Sequence, residues 1–347
     1  MAERRRHASK PMSTIQHREI SIKGKSVRVP AAEVAGRTIV VTGRLLRVAR
    51  VFDADFTEQG PLTDPEAFVE AFKASGVEAD LLTFAGDVDD RQPRFPYSYD
   101  GDNVAAACTT SYDDWWSGLP QESRKNVRRA AKRGVSVRVT ALNGDLVHGI
   151  KRLYDESAVR QGRRFWHYGK PLDRVREENS SYLGRSEFIG AYHADELIGF
   201  MKFVYVGEVA RIMQILASNA HQDKRPMNAM LAKAMEVCHG KGMKYLVYSK
   251  FTFGNKKPDD MAEFKRRNGF VRLDFPQYFV PLTLRGRLGF ALRLHRGALG
   301  VLPPVLIEAI SRFRRGLLGV ARRRLAARGH TSPDTTPSLA SSPNCVE

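Results

Sequence analysis

Cysteine is scarce in this sequence: three in 347 residues, Cys108, Cys238 and Cys345, far apart and with no CxxC pair. That spacing excludes a disulfide framework and a zinc knuckle, and it suits a reducing compartment. Long apolar runs are missing too; nothing approaches the roughly 20 residues needed to cross a bilayer. The start, MAERRRHASKPMSTIQHREI, has no apolar signal-peptide core, so the protein is expected to be cytoplasmic. There is no G-x-x-x-x-G-K-[ST], no G-x-S-x-G and no H-E-x-x-H. P-loop NTPases, α/β-hydrolases and zincins are thereby disfavoured. His167 has no His or Cys at metal-ligand spacing, and no metal is expected.

Charge is what the chain has in excess: 56 Lys and Arg against 38 Asp and Glu, a formal +18. It is unevenly spread. Residues 1–50 carry +9, residues 51–118 carry −12, residues 119–139 carry +6, residues 140–284 carry +7 and residues 285–347 carry +8. So acidic a block does not suit a uniform nucleic-acid binder. It points instead to local sites for anionic ligands, with a basic tail as a separate feature. The length allows two ordinary domains, each with its own core.

Periodicity outlines two α/β stretches. In the first, ISIKGKSVRV and RTIVVTGRLLRVARV are β-branched runs broken by Gly24 and Gly43, which predicts strands. DPEAFVEAFKASG sets Phe68, Val69 and Phe72 at helical spacing, with Pro65 near its start and Gly76 as its stop. ADLLTFAG and YSYDGDNVAAACT read as strands. Trp115 and Trp116 lead into QESRKNVRRAAKRGVSVRV, residues 121–139, which holds seven Lys or Arg and one Glu. Pro120 suits a first helical turn and Gly134 a stop, with Val127, Ala130 and Ala131 as a narrow apolar face.

In the second stretch, GDLVHGIKRLYDESAVRQG predicts an amphipathic helix through Val147, Ile150, Leu153, Tyr154 and Ala158. EFIGAYHADELIGFMKFVYVGEVARIMQILAS reads as three antiparallel strands with turns at HADE and VGE. A helix over 226–240 follows, with Met227, Met230, Leu231, Ala234 and Cys238 on one face. The strand YLVYSKF, the helix PDDMAEFKRRNG and the extended FVRLDFPQYFVPLT complete the order.

That order, with MAEFKRRNGF near its end, resembles the GNAT acyltransferase superfamily. There a late helix commonly ends in Phe-Tyr-x-x-x-Gly-Phe; here the pattern is Phe264-Lys265-Arg266-Arg267-Asn268-Gly269-Phe270. The chain resembles more closely the FemAB-like branch and bacterial GNAT-like proteins of cell-envelope and exopolysaccharide gene neighbourhoods. SRKNVRRAAKRGV, ELIGFMKF, KRPMNAMLAKAMEVCHGKGMKYL and EFKRRNGF…PQYFVPLT carry this resemblance, through their order more than through any one motif. It implies an α/β protein of two GNAT-like halves, with mixed, mainly antiparallel sheets flanked by helices. The halves are expected at 19–140 and 141–285, between a loose basic N-terminus over 1–18 and a helical basic tail over 286–330, with 331–347 disordered.

The same resemblance implies transfer of an acyl group from acyl-CoA, or of an aminoacyl group from aminoacyl-tRNA. The acceptor would be an amine or hydroxyl of a cell-envelope or exopolysaccharide precursor. No cofactor is permanently bound; either donor acts as a co-substrate. The donor is expected at HQDKRPMNAML, where Gln222, Lys224, Arg225 and Asn228 precede or open a helix whose N-terminus favours anions. Both glycines of the family's Q/R-x-x-G-x-G/A loop are missing, so the backbone approaches a pyrophosphate less closely. A solvated helix lead-in is the competing reading.

Lys265 is expected to stabilise a developing oxyanion or a leaving alkoxide, against the alternative of a cation resting on an exposed helix end. Candidate proton acceptors are Glu263, Asp260, Tyr278 and Tyr248, or a substrate group through water; buried structure is the favoured reading of each tyrosine alone. RQGRRFWHYGK, with Arg160, Arg163, Arg164 and Tyr168, suits a phosphate or sugar of the acceptor. Arg124 and Arg128 of the basic helix either meet a phosphate or form a solvated face.

Beyond Pro303–Pro304, the residues Leu306, Ile310, Phe313, Leu317, Val320 and Ala321 form an apolar stripe, with six arginines from Arg312 to Arg324 mostly off it. That is the pattern of a helix lying in an anionic membrane interface. It would hold the protein on the inner face of the membrane beside a lipid-linked acceptor; a small-molecule acceptor and packing of the tail on the body are the alternatives. The rival class is an RNA- or tRNA-binding protein, or a catalytically inactive GNAT-like scaffold. The basic helix and net charge favour it. Missing aromatics for base stacking and the lack of an RNA-module signature oppose it.

Overall fold

The structure is a computed structural model describing residues 16–22, 25–160, 162–252 and 260–296. In chain order the elements begin with β1 (Gln16–Ile22), β2 (Lys25–Val34), β3 (Arg37–Thr42), β4 (Val48–Val51), α1 (Pro65–Ala74) and β5 (Leu81–Ala85). Next come β6 (Ser98–Cys108), α2 (Tyr112–Gly118), α3 (Gln121–Lys132), β7 (Val135–Thr140), α4 (Gly144–Asp155), β8 (Val159–Arg160) and β9 (Arg163–Arg164). They continue with α5 (Leu172–Asn179), β10 (Ser186–His193), β11 (Glu196–Val206), β12 (Val209–Ala217) and α6 (Pro226–Gly240). The last are β13 (Tyr245–Val247), α7 (Asp260–Arg267), β14 (Val271–Pro281) and α8 (Leu284–Ala291).

Among the described residues, those from Gln16 to Asp102 with Phe275–His295 make one compact unit, and those from Asn103 to Asp274 make a second. In unit 1 the strand order is β1-β2-β3-β4-β5-β14, with β4–β5 parallel and β1–β2, β2–β3, β3–β4 and β5–β14 antiparallel. In unit 2 the order is β6-β13-β12-β11-β10-β7, with β12–β13 parallel and the other pairs antiparallel. One run of elements is thus repeated: three antiparallel strands, a helix, then a strand parallel to the third. It reads β2-β3-β4-α1-β5 in unit 1 and β10-β11-β12-α6-β13 in unit 2.

The strand that follows each run is exchanged. Gln277–Pro281 of β14, which comes after α7 in the chain, pairs with β5. Ala106–Cys108 of β6, which comes after β5, pairs with β13. The compact units therefore change over at 102/103 and 274/275, whereas the sequence suggested a division at 140. Periodicity identifies elements but not their partners. Here α3 packs on α6 and β7 pairs with β10, which takes both into unit 2.

Unit 1's helix α1 buries Phe68, Val69 and Phe72 against Val41, Leu82 and Phe84. Asp64 caps it, its carboxylate accepting the Ala67 N–H at 2.9 Å. In unit 2, α6 packs Met227, Met230, Leu231, Ala234 and Cys238 into one core cluster. Leu146, Val147, Ile150, Leu153 and Tyr154 of α4 lie in another. Since β11 contributes to both clusters, it is buried almost end to end and reads as a continuous apolar run. Its exception is Lys202, whose ammonium donates to the Asn179 and Ser181 carbonyls at 2.9 and 2.6 Å, at the C-terminal end of α5. That end favours a cation, while burial lowers the ammonium's pKa to about 8.

Helices α2 and α5 fall where the sequence showed no helical periodicity. The N-terminus before Gln16, the tail from residue 297 and the segment 331–347 lie outside the described residues. None of the described helices is long and apolar enough to cross a membrane.

Candidate functional site

Within unit 2, β12 outruns its parallel neighbour. Only Val209–Arg211 pair with Tyr245–Val247 of β13, and β12 continues through Ala217 beyond that pairing. Past its end the chain turns through residues 218–225 into α6. A cavity of about 660 Å³ lies here. Ser123 and Asn126 of α3, Arg160, Asn219, Arg225, Asn228, and Glu263, Phe264 and Asn268 at α7 are among its walls.

The first turn of α6 carries no side-chain cap, and Arg225 stands at the N-cap in the left-handed region, φ 59°. The N–H groups of Lys224 and Arg225 are used within the preceding turn, by the carbonyls of His221 and Gln222. Pro226 has no N–H. That leaves the N–H groups of Met227 and Asn228, with the helix dipole behind them. The guanidinium of Arg225 makes no ion pair among the described residues, and its Nε is buried without a hydrogen bond.

The loop entering α6 is tied down by Glu156. Its carboxylate accepts from Ser218 Oγ at 2.7 Å, Asn219 N at 2.8 Å, Ala220 N at 3.0 Å and Arg160 Nη2 at 2.8 Å. Burial alone would raise the Glu156 pKa, but those donors and the Arg160 charge outweigh it and hold the carboxyl below its ordinary value. Arg160 also donates to the carbonyls of Ala217 and Leu153, at 2.9 and 3.1 Å. Its burial pulls the guanidinium pKa down against the opposing effect of Glu156. Arg160 therefore lines the cavity chiefly as a brace for the loop.

Side-chain bonds from α2 and α3 hold the α7 wall. Ser123 Oγ donates to the Arg267 carbonyl at 2.6 Å, and Trp115 Nε1 to the Asn268 carbonyl at 3.2 Å. Gly269 follows at φ 82°, where an added Cβ would lie 2.4 Å from Trp115 Nε1. The Gly-Phe of the sequence pattern is thus a packing requirement, with Phe270 buried against Tyr248.

Of the residues singled out from sequence, the cavity gathers Arg160, Gln222, Arg225, Asn228, Asp260 and Glu263. Glu263 is clasped by Arg266 and Arg267 at 2.8 and 2.6 Å, which lower its pKa to about 2. So bound, it is a poor proton acceptor.

The other candidates lie elsewhere. Lys265 is fully buried on the inner face of α7, its ammonium donating to the Lys250 carbonyl at 2.6 Å and lying 4.7 Å from the centre of the Tyr248 ring. Neither Lys265 nor the fully buried Tyr248 is a cavity wall. Tyr278 belongs to unit 1, stacked on Phe84 at 5.2 Å, its hydroxyl accepting the Arg94 N–H. Lys224 lies beside Asp223 at 3.9 Å. Arg124 donates to the Ser117 carbonyl, and Arg128 stacks on Trp116. Arg163, Arg164 and Tyr168 are exposed outside the cavity walls.

Sequence reasoning missed Ser123, Asn126, Asn219 and Asn268. Single small polar side chains carry no periodic signal. Among the described residues no group of His, Cys, Asp and Glu is arranged to hold a metal ion.

These units define an α/β fold in which a GNAT-like run of elements occurs twice and unit 2 alone has the cavity described. The fold is similar to that of FemX. FemX matches with a TM-score of 0.50 at 11% identity, covering 82% of this chain and 92% of FemX. L-PGS from Bacillus licheniformis matches with a TM-score of 0.48 at 14% identity, covering 78% and 89%. A tandem GNAT protein from the clavulanic acid biosynthesis pathway matches with a TM-score of 0.38 at 12% identity, covering 74% and 82%. At these identities the likeness to FemX shows the fold alone. No protein-family model matches the sequence, and no curated protein matches it.

Proposed function

We propose that the protein transfers an acyl or aminoacyl group to an amine or hydroxyl of a cell-envelope or exopolysaccharide precursor, and that unit 2 holds the donor by a phosphate. The observation that carries this reading is the N-terminus of α6, which enters the cavity with N–H groups unbonded, and the guanidinium of Arg225 without an ion pair, among the described residues. Backbone N–H groups, a helix dipole and an arginine together suit a phosphate. The FemAB-like fold and the Phe264–Phe270 pattern add support for acyl transfer.

The donor is aminoacyl-tRNA in preference to acyl-CoA. A CoA pyrophosphate wants a run of successive backbone donors. Here Lys224 and Arg225 spend theirs within the turn, Pro226 has none, and only Met227 and Asn228 remain. Two donors and one guanidinium suit a single phosphodiester. Lys265 acts from inside α7, fixing the wall that carries Phe264 and Asn268. The acceptor is small or lipid-linked, and the basic tail over 286–330 brings the protein to an anionic membrane surface.

Thermal shift and equilibrium binding on the full chain test the reading. Aminoacyl-tRNA should bind and stabilise the protein. Arg225→Asp should weaken that binding by tenfold or more, on the order expected for loss of a charge-assisted hydrogen bond. Stabilisation by acyl-CoA alone would move the donor to CoA. Stabilisation by neither would contradict the transferase reading.

A further inference from the structure

The carboxamides of Asn228 and Asn268 can satisfy their neighbours in one orientation only. The Phe264 carbonyl accepts but cannot donate, so Asn268 turns Nδ2 toward it, at 2.8 Å. That leaves Asn268 Oδ1 facing Asn228, which answers with its own Nδ2, also at 2.8 Å. The Oδ1 of Asn228 is thereby sent the other way. Asn228 is a cavity wall with 9% of its surface exposed. Among the described residues no N–H or O–H donates to this oxygen, and it is not one of the sealed polar atoms left without a partner. It is a fixed acceptor that a ligand can reach.

Its position gives it meaning. Asn228 lies in the first turn of α6, so an acceptor that cannot turn into a donor stands beside two N–H donors and a guanidinium. An anion satisfies the latter; only an N–H or O–H satisfies the former. A molecule filling both carries a phosphate and a donor group. We propose that Asn228 Oδ1 binds a primary amino group of the substrate, with Asn268 as the positioning residue that denies Asn228 its other orientation. This rests on the phosphate site proposed above and adds a second, oppositely demanding contact to it. A carboxamide does not ionise in the working pH range, so it accepts an N–H and leaves the proton where it is. The amino group is either the α-amine of an aminoacyl donor or the attacking amine of the acceptor.

Two pairs of probes separate these sources. Puromycin 5′-phosphate carries a phosphate and a free α-amine, and its N-acetyl derivative keeps the phosphate and loses the amine. Glucosamine and N-acetylglucosamine, titrated onto protein saturated with N-acetylpuromycin 5′-phosphate, probe an acceptor amine. The free amine should bind about tenfold better than its acetylated form in one of the two pairs, the usual effect of a hydrogen bond to a charged group. Asn228→Ala and Asn268→Leu should each remove that preference, while both variants keep a measurable affinity for N-acetylpuromycin 5′-phosphate. Retention of that affinity shows that each variant is folded.

A preference in the puromycin pair assigns the donor's amine, and one in the glucosamine pair assigns the acceptor's. No preference in either pair, or one that survives in both variants, overturns the proposal. Failure of Arg225→Ala to weaken N-acetylpuromycin 5′-phosphate would overturn the phosphate site itself. Failure of every probe to bind would overturn both.

Discussion

The central helices of the two units open alike, Asp64-Pro65 before α1 and Arg225-Pro226 before α6, and the residue before the proline decides what each end does. In unit 1 the Asp64 carboxylate accepts the Ala67 N–H at 2.9 Å, so the protein's own anion already fills the helix end. In unit 2 Arg225 cannot accept, and among the described residues no side chain caps that end. The strands differ in the same sense. β4 pairs with β5 through Arg50 and stops at Val51, whereas β12 runs on from Ile212 to Ala217 after its pairing with β13 has ended. Net charge differs in the same direction: residues 16–102 with 275–295 carry −1 and residues 103–274 carry +11. A repeated run of elements has thus produced one capped helix end and one with no side-chain cap among the described residues, and the distinction rests largely on a single side chain.

The largest effect that would break this comparison is on the unit 1 core. Tyr278 is enclosed by Phe84, Phe95 and Tyr99, with ring centres 5.2, 5.3 and 6.4 Å away. Tyr278→Ala should cost about 3–5 kcal/mol of stability, as large aromatic truncations do, measured by urea unfolding. Tyr278→Phe loses only the bond from the Arg94 N–H and should keep transfer activity. Activity abolished in a stably folded Tyr278→Phe would make this tyrosine catalytic after all.

Acid should act next, and on unit 2. His167 lies against Tyr154, ring centres 4.5 Å apart; burial first, then the Lys170 ammonium, lower its pKa to about 4 against the opposing charge of Glu178. An unfolded histidine takes its proton near pH 6.5, so between about pH 6.5 and 4 the unfolded chain binds more protons. Stability is then full above that window and falls as the pH drops through it. From pH 7 to 5 the loss is about 2 kcal/mol. Urea midpoints at the two pH values should show it, and His167→Gln should flatten the difference; an equal drop in that variant would assign the effect to other groups.

The smallest effect tests the filled end of α1. Asp64→Ala should cost about 1 kcal/mol, the usual worth of an N-cap. A change in thermal midpoint indistinguishable from zero would show that the Ala67 bond is not what closes that end.

Much of the fold is legible in the sequence because it is local. The apolar spacing of Met227, Met230, Leu231, Ala234 and Cys238 marks α6, and HADE and VGE mark the turns of β10–β12. Two helices leave little trace: α5 buries only Val175 and Asn179, and α2 only Trp115. The exchange of β6 and β14 is not legible at all, since pairing of residues far apart in sequence leaves no periodic mark.

The site divides along the same line. Arg225 and Asn228 stand beside a recognisable helix start. Lys265 sits in a run of three cations that reads as exposed, yet it shares the buried face of α7 with Ala262, three residues earlier. The Asn228–Asn268 pair joins positions brought together only by folding. Tyr278 lies in an alternating strand that could equally have faced a ligand, and only its pairing with β5 shows its aromatic surroundings.

The central claim is that the end of α6 receives an anion and that of α1 does not. Backbone amide resonances of the full chain, followed by NMR during titration with inorganic phosphate, test it most directly. Saturable shifts are expected at Met227 and Asn228, none at Glu66 and Ala67, and loss of the α6 shifts in Arg225→Asp. Unmoved resonances at Met227 and Asn228, or equal shifts at both helix ends, would contradict it.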